Sequence, residues 1–317
     1  KQGRYSDTDI IRYDEVKNFE EIVWKEKSDY PVKEVVMPIQ QTLFYYTEDE
    51  YKPSRNPAKP VLIFARPCDI NAQHIQDEIY AGNGGYTDFY YERMRSLVTF
   101  AMMECNGGDD TCFCVSMGSN ETEDYALAVR FREDGADVRV EDASFNTYFN
   151  DMPKGSYTPA FVKENEMKVT LPDLSDKQVR MELKKHPMWR EFDKRCISCG
   201  SCTVACSTCT CFSTRDLSYG DNPEAGERRR VTASCQIEGF DQMAGQREFR
   251  NNAGDRMRYK ILHKFHDYKA RFGKRHMCVG CGRCAHRCPE LISISATVSK
   301  VNDAVNEIKA EMAQQGR

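Results

Sequence analysis

CISCGSCTVAC (196–206) and CVGCGRCAHRC (278–288) decide how this chain is read. Each is C-x2-C-x2-C-x3-C, and each places a glycine directly after its second cysteine, Gly200 and Gly282. A loop of this spacing lets three thiolates grip three corners of a cubane 4Fe–4S cluster, while the fourth cysteine points away to the cluster of the other motif. The expected ligand sets are therefore Cys196, Cys199, Cys202 and Cys288 for one cluster, and Cys278, Cys281, Cys284 and Cys206 for the other. C-x2-C pairs also hold zinc in four-thiolate sites, but zinc needs two pairs, and an evenly spaced triplet followed by a fourth thiol is wasteful for it. Pro289 follows Cys288 as the bacterial pattern expects, whereas Ser207 follows Cys206. A serine there loosens a turn without removing a ligand.

Outward from the motifs, the gap between them is the next signal. About 71 residues intervene, where compact two-cluster ferredoxins keep their motifs close, and much of the interval has helical spacing. QMAGQREFRNNAGDRMRYKILHKFHDYKARFG (242–273) predicts helix around a break at 251–254. The C-terminal run sets Val298, Val301, Val305, Ile308 and Met312 on one face at steps of three and four. This half, 187–317, is expected to be an all-helical dicluster ferredoxin domain. The first half, 1–186, follows another grammar: strand-like EVVMPI (34–39), TLFYY (42–46), VLIFA (61–65) and LVTFAMME (97–104) alternate with helix-like INAQHIQDEIY (70–80) and SFNTYFNDM (144–152). YALAVRF (125–131) and DVRVE (137–141) flank Asp134-Gly135, a hairpin signal. The predicted class is α+β, an α/β domain followed by the helical one, with the boundary near His186-Pro187 after a polar stretch over 153–186.

Composition removes other classes. The 317 residues carry 45 basic and 49 acidic side chains, a net charge of -4, which offers no basic field for nucleic acid. Mean hydropathy is -0.67, and no apolar run approaches the roughly 20 residues of a membrane span. The chain opens on Lys1 rather than Met, read as a trimmed terminus, and shows no signal-peptide pattern. Its 15 cysteines are an odd number in tight groups, eleven of them between 196 and 288, unlike an evenly stapled secreted scaffold. Reduced, metal-binding thiols in the cytoplasm are the expectation.

A less regular thiol group lies in the first half. Cys68 follows the strand VLIFA in ARPCDI, Cys105 follows LVTFAMME, and Cys112-Phe113-Cys114 comes a short loop later. Carboxyl ends of strands are where α/β sheets bind ligands, so these four thiols could hold a third 4Fe–4S cluster. The competing reading is ordinary buried cysteine, since free Cys is among the most buried residue types. Cys209, Cys211 and Cys235 are left over, as structural thiols or spare ligands. His286, between two expected ligands, could tune a potential or simply be solvated. The basic run 228–230 reads as a solvated face, and GNGG (82–85) lacks the G-x-G-x-x-G of a dinucleotide site.

ARPCDINA, the CFCVSMGS block (112–119), CISCGSC…STCTCF, GERRRVTASC and HMCVGCGRC together resemble the iron–sulfur A subunits of anaerobic sulfite reductases. The likeness runs from RYSDTD (4–9) to the C-terminal helix, with the β subunits of sulfhydrogenases as wider relatives. CSTC at 206–209 stands where relatives usually read CPTC. The resemblance implies a third cluster on the ARPC and CFC cysteines. It also implies an electron-carrying subunit, not itself catalytic, between an NADH-oxidising flavin subunit and a sirohaem subunit that reduces sulfite to sulfide. The chain shows neither a flavin fingerprint nor, apart from the two motifs, a separate C-x5-C…C-x3-C pattern of a sirohaem-linked cluster. Two alternatives remain: the electron-transfer subunit of a hydrogenase or heterodisulfide reductase type of complex, and a zinc-stabilised, non-redox scaffold.

Overall fold

A computed structural model describes residues 1, 10–55 and 59–315; the RYSDTD stretch lies outside the described residues. The strands are β1 (Gln40–Tyr46), β2 (Tyr51–Pro53), β3 (Val61–Ala65), β4 (Val98–Met103), β5 (Leu127–Arg132), β6 (Gly135–Val140), β7 (Phe212–Tyr219) and β8 (Asn222–Thr232). The helices are α1 (Lys33–Val36), α2 (Pro67–Tyr80), α3 (Phe89–Arg95), α4 (Lys177–Lys185), α5 (Glu191–Arg195), α6 (Ser201–Val204), α7 (Ala253–Leu262), α8 (Tyr268–Phe272), α9 (Arg283–His286) and α10 (Ile294–Gln314).

One sheet has the order β3-β4-β5-β6. β3, β4 and β5 run parallel, and β6 returns antiparallel to β5 through a turn in which Arg132 pairs with Gly135, as the Asp134-Gly135 signal predicts. β3 coincides with VLIFA: β-branched and aromatic residues buried between layers favour a pleated surface. α2 follows at once. Pro67 at its first turn lacks only an N–H that would have had no partner, and its fixed φ suits a helix start. α2 buries two faces: Ile70 and Tyr80 pack on the sheet side, whereas Ala72 and Ile75 pack against Tyr268, Met277, Val279 and Cys281 from the other half.

Several local expectations give way to packing. The EVVMPI segment is not a strand: α1 occupies its start, because Val32 and Val36, one helical turn apart, are both fully buried. SFNTYFNDM forms a 3-10 helix, Ala143–Phe149, and helix in 242–273 begins only at Ala253.

The larger correction concerns the second half, which is not all-helical. β7 and β8 form a long antiparallel hairpin between the two motifs, and the second sheet has the order β2-β1-β8-β7. β8 pairs with β1, so this sheet draws strands from both sides of position 186. The hairpin is polar on both faces and therefore lacks the alternation that marks a half-buried strand. Its arginines are held by polar pairs across the hairpin and to its neighbours. Arg228 donates to both Asp216 carboxylate oxygens (2.6 and 2.7 Å), and Arg230 is buried against Asp88 (2.7 Å) and Gln41 (2.8 Å). The basic run 228–230 is thus internally neutralised.

The helical core gathers Val179, Leu183, Trp189, Phe192, Ile261 and Phe265 against Val298, Val301, Val305 and Ile308 of α10. Ser293 caps α10 by accepting from the Ala296 N–H. Among the described residues no helix is long and apolar enough to cross a membrane.

Candidate metal centres

The two motifs fold as copies of one loop. In the first, the backbone passes through left-handed conformations at Ser198 (φ 57°) and Gly200 (φ 78°), then enters α6, which carries Cys202. In the second, Gly280 (φ 64°) and Gly282 (φ 71°) take the same positions before α9, which carries Cys284. Left-handed turns at these two positions bend each loop around a cavity, and such turns suit glycine better than a residue with a Cβ.

Two cavities lie between the loops. Cys196, Cys199, Cys202 and Cys288 line one, together with Met257, Lys260, Ile292 and Ile294. Cys206, Cys278, Cys281 and Cys284 line the other, together with Phe113, Thr208 and Lys264. Each expected quartet is therefore brought together, with three thiols from one motif and one from its partner. Cys284 reaches the wall of both cavities. The donor set suits a thiolate-bound cluster: the Gly280 N–H donates to Cys278 Sγ (3.4 Å) and the Ile292 N–H to Cys288 Sγ (3.3 Å), the sulfur-directed hydrogen bonds that tune iron–sulfur sites. Among the described residues no group of three or more His, Cys, Asp or Glu side chains converges on a single ion; the thiols ring cavities instead.

Burial and charge set the electrostatics. Burial pushes the Cys278 thiol up to about 12, and burial likewise raises Cys284. Burial pulls Lys260 and Lys264 down, yet the charge of the surrounding cysteine sulfurs outweighs it and holds both ammoniums above the usual lysine range. For Lys260 those thiols are led by Cys202 and Cys284, and for Lys264 by Cys206 and Cys209.

The first-half cysteines form a looser group. Cys68 is partly buried, and burial raises its thiol; it feels both Cys281 and Cys114, and Cys114 in turn feels Cys105. Arg66 donates to Cys105 Sγ (3.7 Å), and Cys114 donates to Asn165 (3.5 Å). Cys112 has its own set of polar neighbours. Its hydrogen-bond partners are Lys27 (3.4 Å), Asp109 (3.3 Å) and the Cys281 carbonyl (3.7 Å), and burial raises its thiol to about 11.

This group is fastened to the second motif. The Phe113 N–H donates to the Gly280 carbonyl (2.8 Å), and Ser119 donates to the Val279 carbonyl (2.6 Å). Lys27 donates to the Cys281 carbonyl (2.9 Å) while pairing with Asp109 (2.6 Å). Arg283, within the motif itself, grips Asp69 bidentately (2.6 and 2.8 Å); the two side chains are 1% and 0% exposed. Burial pushes the Asp69 carboxyl up, but Arg283 and the Tyr13 hydroxyl outweigh it and hold it below the usual carboxylate range.

Of the leftover thiols, Cys209 neighbours the expected ligand Cys206, and Cys211 neighbours Cys235. Lys33 donates to the Cys209 carbonyl (2.8 Å). His286 is half exposed near Asp29 and Asp109. Sequence spacing pointed to none of Lys27, Lys260, Lys264 or the Arg283–Asp69 pair, because buried charge runs against composition rules and shows only once helices are packed.

Residues 195–292 match the family of the 4Fe–4S dicluster domain, which defines this region as a carrier of 4Fe–4S clusters. Across nearly its whole length the chain is similar to the sulfhydrogenase 2 subunit beta of Pyrococcus furiosus (strain ATCC 43587 / DSM 3638 / JCM 8422 / Vc1). The two are 27% identical over 318 residues, covering 93% of this chain and 90% of that protein. No solved structure matches the chain.

Proposed function

We propose that the chain is the iron–sulfur electron-transfer subunit of a multi-subunit oxidoreductase, carrying electrons from an NADH-oxidising flavin subunit to a sirohaem subunit that reduces sulfite to sulfide. The observation that carries the relay is contiguity. Cys112 Sγ lies 3.7 Å from the Cys281 carbonyl of the second motif, Cys68 packs in one apolar group with Cys281, and Cys284 lines both cavities. Bound 4Fe–4S clusters would supply one-electron steps that divide the hydride pair delivered by NADH. Cys196, Cys199, Cys202 and Cys288 would hold one cluster, Cys278, Cys281, Cys284 and Cys206 a second, and Cys68, Cys105, Cys112 and Cys114 a third. In this arrangement the chain's own residues hold the clusters, exclude water from the second cavity and set its charge. The sulfite partner rests on the sequence resemblance.

A second reading, the electron-transfer subunit of a hydrogenase-type complex, is favoured by the similarity to a sulfhydrogenase beta subunit. Pull-down of the native complex separates the two: co-purifying sirohaem supports the first and nickel the second. The reduced chain alone should form no sulfide from sulfite, and sulfide from the pure chain would refute a pure relay. Iron and acid-labile sulfide analysis of anaerobically purified chain tests the relay's length. About twelve iron per chain is expected for three clusters at four iron each, and about eight would make the first-half cysteines structural. Zinc without sulfide would overturn the redox reading.

A further inference from the structure

Lys260 and Lys264 stand one turn apart, the first on α7 and the second in the π-helical turn His263–Asp267 that joins α7 to α8. Their side chains enter different cavities. Lys260 lines the one ringed by Cys196, Cys199, Cys202 and Cys288, and Lys264 the one ringed by Cys206, Cys278, Cys281 and Cys284. Both are almost completely buried, at 3% and 2% exposure. Lys260 donates to the Cys202 carbonyl (3.1 Å) and Lys264 to the Thr208 hydroxyl (2.9 Å), both neutral acceptors. Neither forms an ion pair with a carboxylate among the described residues. A buried ammonium with only neutral partners is strongly disfavoured, so the negative charge that balances it must lie in the cavities the two lysines line.

We infer that Lys260 and Lys264 are paired positioning charges, one for each cluster, that raise the reduction potential of the centre each faces. The inference rests on reading the two cavities as cluster sites. A cubane held by four thiolates is a dianion that becomes a trianion on reduction, so a fixed cation beside it stabilises the reduced form more than the oxidised one. Because one short helical segment supplies both charges, it sets the two potentials together, and through them the downhill direction of the relay. The π turn fits this role, since insertion of an extra residue into a helix redirects the side chains that follow and is frequent at functional sites.

The test is an EPR-monitored redox titration of the full chain, purified anaerobically with its clusters. Lys260→Gln is expected to lower the midpoint potential of one reduced-cluster signal and Lys264→Gln that of the other. Each shift should be at least about tenfold in the reduction equilibrium, about 59 mV for a one-electron couple. Lys260→Arg and Lys264→Arg keep the charge and should restore most of the potential. Unmoved potentials in fully loaded Gln variants would overturn the inference, as would both substitutions moving the same signal equally. If the Gln variants fail to take up iron, the Arg variants decide: loading by Arg supports a requirement for charge, and failure of Arg as well refutes it in favour of packing. A wild-type chain without iron and acid-labile sulfide would instead sink the cluster reading itself, a result distinct from loaded clusters with unmoved potentials.

Discussion

The two cysteine loops share spacing, backbone conformation and glycine placement, yet they live in opposite surroundings. In the first, Cys199 is exposed, and Ile197 and, beside the partner motif's fourth cysteine, Leu291 reach 60% and 81% exposure. In the second, Cys281 is buried and the chain on either side of it is pressed against the first half. A Cβ on Gly280 would lie 2.5 Å from the Phe113 carbonyl oxygen, and one on Gly282 would collide with Thr111. The difference teaches that cysteine spacing determines which cofactor a loop can hold, while the neighbours decide how anchored and how dry it is. The first loop opens toward solvent, where a redox partner can approach. The second belongs to the interior of the relay.

The largest effect should come from the residue that anchors the second loop. Arg283→Met leaves Asp69 charged and unpaired in the interior, with an expected loss of about 3–5 kcal/mol. Thermal unfolding of the anaerobic chain, followed by circular dichroism, would read this as a large drop in Tm. A drop of only a degree or two would mean the second loop is no better anchored than the first.

Next comes a substitution that makes the second loop resemble the first. Ser198 occupies in the first motif the place Gly280 holds in the second, at nearly the same φ. Gly280→Ser therefore forces a side chain onto the Phe113 backbone, and overpacking of this kind costs about 1–3 kcal/mol. The lost stability should be accompanied by faster hydrogen exchange at Phe113, whose amide is bonded to the Gly280 carbonyl. Unchanged exchange at Phe113 would show that the two halves are not fastened there.

The smallest effect is expected at Ser201, the first-motif counterpart of Arg283. Among the described residues its hydroxyl accepts only from the exposed Cys199 thiol (3.4 Å), so Ser201→Ala should change stability by no more than about 0.5 kcal/mol. A loss comparable to that of Arg283→Met would erase the contrast between the loops.

What could be read from the residues follows the same division. The gathering of the motif thiols around two cavities was legible because spacing is a local, covalent property. β3, β4 and the β5–β6 hairpin were legible from alternation and a turn pair. The β7–β8 hairpin was not, because its arginines and acids answer each other across strands rather than alternate along one. α1 was misread because the β-branched pair Val35-Val36 looks like a strand until Val32 and Val36 are buried on one side. Lys260 and Lys264 were invisible for a sharper reason: in sequence they belong to an ordinary charged amphipathic helix, and only the fold turns that face inward.

The pairing of β1 with β8 has a consequence for how the chain is made. The two strands are joined through nearly the whole intervening sequence, a long-range contact of the kind that slows folding. While the protein emerges from the ribosome, the inner edge of β1 stays unpaired until β8 has been synthesised, an open template for association with other chains. A nascent chain halted before the hairpin would carry the first-half cysteines on an unfinished scaffold.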